Sequence, residues 1–272
     1  GWNSRRHEEG VGMGDDSTRP RLSVIVPAFN AARTISQTLN SLQDQTMTDW
    51  EAVVVDDGST DFTYNIARAF GERDPRIWAI RLEKNEGAAK AVNHALPWPV
   101  TKGKYLMVLA ADDYLLEDFM EKCVTALDAN PLAPGAYTNY IEWYEAEGIK
   151  KVHRCPTFDR KTLLTRDFVN FSALVFRFVA LFDDSWTPVA DWDAVIRMTK
   201  YRPLVHLPEI LAVRRIHSAQ VSAGLGGPRM FFKRLILPFQ YAGFVPATRA
   251  ALWRLNGAIW YLAKPSCRAT FK

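Results

Sequence analysis

The sequence has few cysteines and no long apolar run. Its 272 residues include three cysteines, Cys123, Cys155 and Cys267, which are widely spaced and odd in number. This pattern excludes a disulfide framework and a zinc site, so we expect a reducing, cytoplasmic environment. No apolar run approaches the roughly 18–20 residues that a membrane-spanning helix needs. Residues 1–20 are polar and charged, lack the hydrophobic core of a signal peptide, and are predicted to form a disordered leader.

Two common phosphate-binding loops are also missing. No G-x-G-x-x-G follows the first predicted strand, and no G-x-x-x-x-G-K-[ST] occurs anywhere in the chain. Both motifs use glycine-rich backbone to cradle phosphate groups. The absence of both motifs therefore excludes dinucleotide-binding and P-loop proteins.

Acidic residues are absent after Glu209. The segment beyond it carries ten basic residues: Arg214, Arg215, Arg229, Lys233, Arg234, Arg249, Arg254, Lys264, Arg268 and Lys272. We predict that residues 223–272 form a basic, amphipathic, helical extension. Three roles stay open for it: peripheral contact with the inner face of a membrane, homo-oligomer formation, or packing on the catalytic domain. A nucleic-acid surface is not expected.

Four short apolar runs, at 22–28, 51–55, 77–82 and 105–109, alternate with segments of helical periodicity. Such alternation predicts an α/β fold with a Rossmann-like, mainly parallel sheet and helices on both of its faces. We expect one catalytic domain over residues 21–222. Its first half, 21–114, ends just after the fourth strand, and its second half, 115–222, contains a further predicted strand at 136–144.

Polar side chains follow three of these four strands. Asn30 comes after the first, Asp56 and Asp57 after the second, and Asp112 and Asp113 after the fourth. Since the carboxyl ends of parallel strands lie at one edge of a sheet, where ligands bind, we expect a single site there. Mg²⁺ or Mn²⁺ takes few protein carboxylates and completes its shell with diphosphate oxygens and water. The alternative is that these aspartates only form solvated turns.

Four segments in this order carry a family resemblance: LSVIVPAFN, VVVDDGSTD, NEGAAKAVNHAL and LAADDYL. Together they resemble the nucleotide-sugar half of the family 2 glycosyltransferases, and the likeness extends from about Leu22 to Ser222. The resemblance implies a GT-A fold and an inverting, metal-dependent transfer of a sugar. It implies a UDP-sugar donor and a hydroxyl of a glycan or lipid-linked acceptor.

The resemblance also implies roles for residues that bind the nucleotide. Pro27 and Phe29 lie where the family packs the base, with phenylalanine replacing the more usual tyrosine. Asp57 matches the carboxylate that hydrogen-bonds the uracil imide. Asn85 and Gly87 fall in the loop on the nucleotide side.

Further roles concern the diphosphate and the metal. By the resemblance, Asp112 points to the ribose and Asp113 binds the metal. His217 would complete the metal shell or reach the diphosphate, and Arg215 would neutralise phosphate charge. Ala110 departs from the pattern, because many members have a further aspartate there.

The family's base would be Asp191, in Val189-Ala190-Asp191-Trp192-Asp193, near the start of a predicted helix. A helix N-terminus stabilises an ionised carboxylate, and inverting transfer needs one base for the acceptor hydroxyl. Ala190 stands where the family usually has glutamate. Asp193 is the competing candidate, and either aspartate would serve equally as a simple helix cap.

Two other functions stay open at this stage. A catalytically silent module that binds sugar nucleotides or glycans is compatible with alanine at positions 110 and 190. A metal-dependent nucleotidyltransferase would also place carboxylates at strand ends. It would need a basic triphosphate-binding loop near the first strand, where only Arg33 is available.

Overall fold

A computed structural model describes residues 19–97, 101–177, 182–183, 185, 189–217, 237 and 241. The predicted leader therefore lies almost wholly outside the described residues. So does the predicted extension over 223–272, of which Leu237 and Tyr241 are described.

The first half of the fold is the predicted alternation of strands and helices. Its elements are β1 (Leu22–Ala28), α1 (Ile35–Gln43), β2 (Trp50–Asp56), α2 (Thr63–Arg73), β3 (Ile77–Arg81), α3 (Ala88–Ala95) and β4 (Tyr105–Val108). The four strands are parallel neighbours in the order β3-β2-β1-β4. The side chains of β1, β2 and β4 are nearly all apolar because these strands are covered on both sides, whereas β3, at the edge of the sheet, is partly exposed. The predicted α/β class is confirmed.

The second half extends the same sheet with mixed strand directions. Its elements are β5 (Tyr114–Leu115), α4 (Phe119–Ala129), β6 (Gly135–Tyr144), β7 (Ile149–His153), α5 (Arg160–Thr165), β8 (Leu174–Arg177), α6 (Ala190–Met198) and β9 (Val205–Ile216). From β4 the order continues β8-β6-β9-β5, and β7 pairs with β6. A 3-10 turn at Phe171–Ala173 precedes β8.

Strand direction decides which ends meet at the site. Strand β8 is antiparallel to both β4 and β6, so β6 runs parallel to β4. Strand β9 is in turn parallel to β6. The carboxyl ends of β1, β2, β4, β6 and β9 therefore lie along one edge of the sheet, which we call the ligand edge.

One continuous core holds both halves together. It contains the apolar residues of the central strands, the inward faces of the helices, and Leu237, which is fully buried. Within the part of the chain that is described, no helix is both long and apolar enough to cross a membrane.

Gly58 forms the tight turn after β2. Its φ is +68°, and a Cβ there would stand 2.6 Å from the backbone carbonyl carbon of Lys84. Gly148, at the β6–β7 turn, has a similar φ of +66° but nothing within 4 Å of the Cβ position. The two glycines share a backbone conformation and differ in crowding.

We expect Gly58→Ala to reduce the free energy of unfolding by clearly more than Gly148→Ala does. The left-handed conformation alone costs a non-glycine residue about 1–2 kcal/mol, and only position 58 adds a collision with backbone. Urea unfolding of both variants measures the difference. Equal losses would show that the contact with the Lys84 backbone relaxes freely.

Candidate active site

The loops after β1 and β2 are joined at the ligand edge. The N–H of Asp57 donates to the carbonyl of Ala28 at 2.8 Å. The N–H of Asn30 donates to Ser59 Oγ at 2.9 Å, and Asn30 Oδ1 accepts the N–H of Thr60 at 2.9 Å. This junction leaves the side chain at position 29, a phenylalanine, 45% exposed beside the second loop.

Asp57 holds the loop that precedes α3. Its Oδ1 accepts the N–H of Glu86 and its Oδ2 the N–H of Gly87, both at 2.8 Å. Gly87 has φ +93°, and Asn85 beside it is exposed. Three of the predicted nucleotide-binding residues thus meet in one place. Since each carboxylate oxygen has two acceptor sites, Asp57 keeps the chemical capacity to bind a ligand N–H.

Asp56 lies inside the fold, although it shares the strand end with Asp57. Its side chain is 0% exposed, and Arg81 Nε lies 3.3 Å from its Oδ2. Burial raises the pKa of this carboxyl above its usual value. Asp56 is therefore an internal group paired with Arg81. No local pattern in the sequence predicts this pairing.

Asp112 and Asp113, just after β4, contact His217 and Arg215 from the end of β9. His217 Nε2 lies 3.1 Å from Asp112 Oδ2. Asp113 is 4% exposed, and its Oδ1 accepts the N–H of Arg215 at 2.9 Å. Burial, and then the neighbouring Asp112 carboxylate, raise the pKa of Asp113 to about 7.

Arg215 braces this turn from β9. Its Nε donates to the carbonyl of Asp112 at 3.0 Å, and Nη1 donates to Glu145 Oε1 at 2.6 Å. Nη2 donates to Gln37, and the guanidinium lies 4.5 Å from the centroid of the Trp143 ring. These contacts describe a positioning residue for the two aspartates, and the expected contact with phosphate stays a prediction.

The two aspartates of helix α6 have different surroundings. Asp191 is exposed, and its Oδ1 accepts the N–H of Trp192 at 2.8 Å. Asp193 is 0% exposed; Arg197 Nε lies 2.7 Å from its Oδ2, and Tyr241 Oη donates to its Oδ1 at 2.6 Å. Asp193 therefore has a structural role, which leaves Asp191 as the carboxylate open to a substrate.

The donors at the end of β4 fit a divalent cation. Among the described residues there is no group of three His, Cys, Asp or Glu side chains that would enclose a metal by themselves. Asp112 and His217 offer two ligands, which suits Mg²⁺ or Mn²⁺ completed by diphosphate and water. Two adjacent carboxylates, one of them buried, are also the arrangement that a cation stabilises.

The sequence and the fold of the chain are both similar to those of known proteins. The profile described as Glycosyl transferase family 2 matches residues 23–182, which is more than half of the chain. The chain belongs to glycosyl transferase family 2. Relatives of the chain include proteins named as glycosyltransferases. The expectation drawn from the four sequence motifs is confirmed at this level.

Among the relatives, chondroitin synthase of Escherichia coli is 28% identical over 209 residues, covering 75% of this chain and 30% of that protein. The chain thus spans less than a third of that relative. The crystal structure of Staphylococcus aureus TarS 1-349 in complex with UDP has a TM-score of 0.67 at 19% identity, covering 93% of this chain and 75% of that one. The mannosyltransferase PcManGT of Pyrobaculum calidifontis, in complex with GDP-Man and Mn²⁺, has a TM-score of 0.57 at 19% identity, with 91% and 82% covered. These likenesses confirm the GT-A fold.

We expect Asp193→Ala to lower the free energy of unfolding by about 2 kcal/mol or more, because it leaves Arg197 without its buried partner; the partial exposure of Arg197 moderates the loss. Asp191→Ala should cost less, about 1 kcal/mol, because it removes an exposed carboxylate that bonds the Trp192 N–H in the first turn of the helix. Urea unfolding monitored by tryptophan fluorescence measures both. The assignment of the two aspartates is wrong if Asp191→Ala is the more damaging change.

Proposed function

We propose that this glycosyltransferase moves a hexosyl group from a UDP-sugar to a hydroxyl of a glycan or lipid-linked acceptor, with inversion at the anomeric carbon. The observation that carries the proposal is the arrangement along the ligand edge. The Asp57–Gly87 contact joins the loops after β2 and β3, and the Asp112–His217 pair lies after β4. A nucleotide and a diphosphate would extend across these two positions. Structural neighbours in complex with UDP and with UDP-GlcNAc support this donor class.

The base and ribose would bind in the first half of the fold. Phe29 and Pro27 would pack against the base, and Phe29 is exposed enough to do so. Asp57 would accept the imide N–H of uracil, with Asn85 and Gly87 beside it. The neighbour with GDP-Man shows that the fold alone does not select the nucleotide. The carboxylate at position 57 is what favours uracil here.

Asp112, Asp113 and His217 would hold Mn²⁺ or Mg²⁺ together with the donor diphosphate. When bound, the cation stabilises the negative charge that develops on the leaving diphosphate. Arg215 holds the two aspartates in position for this role through its N–H and its Nε. Asp112, whose Oδ2 lies 3.1 Å from His217 Nε2, would contact either the cation or the ribose.

Asp191 would act as the general base. Its exposed carboxylate stands in the first turn of α6, where the helix N-terminus attracts negative charge. The acceptor oxygen attacks the anomeric carbon as the bond from that carbon to the diphosphate oxygen breaks. The hydroxyl proton passes to Asp191, and UDP leaves.

The alternatives have less support. Arg33, in the loop after the first strand, pairs with Glu145 at 2.6 Å, which disfavours a triphosphate-binding loop and hence a nucleotidyltransferase. A silent binding module is favoured by one observation, the alanines at positions 110 and 190. Turnover by the parent protein separates it from the main proposal.

The basic extension over residues 223–272 keeps its proposed roles in contact with the inner face of a membrane or with a second copy of the chain. At two described positions it also packs on the catalytic domain. Leu237 is fully buried, and Tyr241 bonds Asp193 of α6.

Titration calorimetry with UDP, with and without Mn²⁺, tests the donor site. We expect metal-dependent binding that is lost in Asp112→Ala and Asp113→Ala and kept in Asp191→Asn. Turnover of the UDP-sugar should fall by about 10²–10⁴-fold in Asp191→Asn, the usual contribution of a general base. Folded parent protein that binds no UDP under either condition would contradict the proposal. Full turnover by Asp191→Asn would contradict the assignment of the base.

A further inference from the structure

The β6–β7 hairpin presents two chemically different faces. Side chains alternate along a strand, so Glu142 and Tyr144 point to one face and Trp143 to the other. The neighbouring strands continue this division. Lys151 on β7 and Arg214 on β9 both lie opposite Glu142 and share its face.

The face with Glu142 is polar, aromatic and partly open. Arg214 Nη1 lies 3.8 Å from Glu142 Oε1, with side-chain exposures of 33% and 20%. Tyr144 Oη donates to Glu142 Oε2 at 3.0 Å. Lys151 Nζ stands 4.6 Å from the centroid of the Tyr144 ring. His153 completes the face and stacks on the buried Tyr140 ring at 4.6 Å.

This face adjoins the predicted metal site. The backbone N–H of Arg215 bonds Asp113, and the side chain of the preceding residue, Arg214, is among the charges that act on the Asp113 carboxylate. Strand β6 also runs parallel to β4, so its carboxyl end lies at the ligand edge. The face therefore leads from the site of the chemistry outward along the hairpin.

The opposite face is occupied by protein contacts. Trp143 lies between the Arg215 guanidinium, 4.5 Å from its ring centroid, and Lys150 Nζ, at 5.4 Å. Tyr114 meets the same ring edge-on at 6.3 Å. This side of the hairpin supports the aspartate turn and offers little for a ligand.

We propose that the first face, formed by Glu142, Tyr144, Lys151, His153 and Arg214, binds the acceptor glycan. A sugar has a rim of hydroxyl groups and an apolar C–H face. The Glu142–Arg214 pair supplies planar acceptors and donors for the hydroxyls, and the Tyr144 and His153 rings supply flat surfaces for the C–H face. The proposal rests on the transferase function above, since it places the acceptor beside Asp113. Binding of the acceptor at this face forms no covalent bond.

The two adjacent lysines of β7 provide a matched test. Lys151 and Lys150 are both exposed, and each lies over an aromatic ring, but on opposite faces. Binding would be measured on a panel of immobilised neutral and uronic-acid oligosaccharides, with UDP and Mn²⁺ present. The proteins would be the parent chain, Lys151→Ala, Lys150→Ala and Glu142→Gln. Calorimetry with UDP and thermal unfolding would accompany each.

We expect the parent protein to retain at least one class of oligosaccharide. Lys151→Ala and Glu142→Gln should weaken that binding by about tenfold, equivalent to about 1.4 kcal/mol, and Lys150→Ala by less than about twofold, while UDP affinity is unchanged in all of them. The inference is overturned if the parent binds UDP but no oligosaccharide, or if both lysine variants lose binding equally. A parent protein that fails to bind UDP would instead overturn the proposed function, and this inference with it.

Discussion

The turn at Asp112 and Asp113 depends on one arginine. Two adjacent carboxylates at the end of a buried strand repel each other, and the pKa of Asp113, raised to about 7, reflects that repulsion together with burial. Arg215 holds this turn with two donors, since its backbone N–H bonds the Asp113 carboxylate and its Nε bonds the carbonyl of Asp112. Its Nη1 is bonded to Glu145. Because Arg215 comes from β9, the far end of the chain fixes the geometry of a turn in its middle.

Glu145 extends this dependence across the molecule. Its carboxylate accepts from Arg215 on one oxygen and pairs with Arg33 on the other. Arg33 belongs to the loop after β1, beside the predicted base-binding residue Phe29. One carboxylate at the tip of the β6–β7 hairpin therefore connects the loop after β1 with the aspartate turn. A movement of the hairpin would therefore shift both the loop after β1 and the aspartate turn.

Local patterns in the sequence were enough for the first half of the fold. Strands β1, β2 and β4 are short apolar runs because they are buried on both faces, whereas β3 is a partly exposed edge strand. All four runs are recognisable without a structure. The order β8-β6-β9-β5 was not predicted, since strand pairings between distant segments leave no local signal. The position of the candidate site followed from the strand ends alone. Its contacts did not.

The missed details share one cause, which is that side-chain direction depends on partners far along the chain. Asp191 and Asp193 are two residues apart, about 200° around a helix, so only one of them faces inward. The sequence does not show that Tyr241 and Arg197 bond the Asp193 carboxylate on the inward side of the helix. The same holds for Asp56, which is drawn inward beside Arg81, and for Arg214 and Arg215, whose side chains lie on opposite faces of one strand.

Leu237 and Tyr241 have a consequence for how the chain can be divided. They lie past residue 222, where the sequence places the end of the catalytic domain. Yet Leu237 is part of the core, and Tyr241 is bonded to the helix that carries Asp191. A recombinant fragment that stops at 222 would uncover apolar surface and leave the buried Asp193 with one partner fewer. A fragment that keeps both of these contacts therefore extends at least to residue 241.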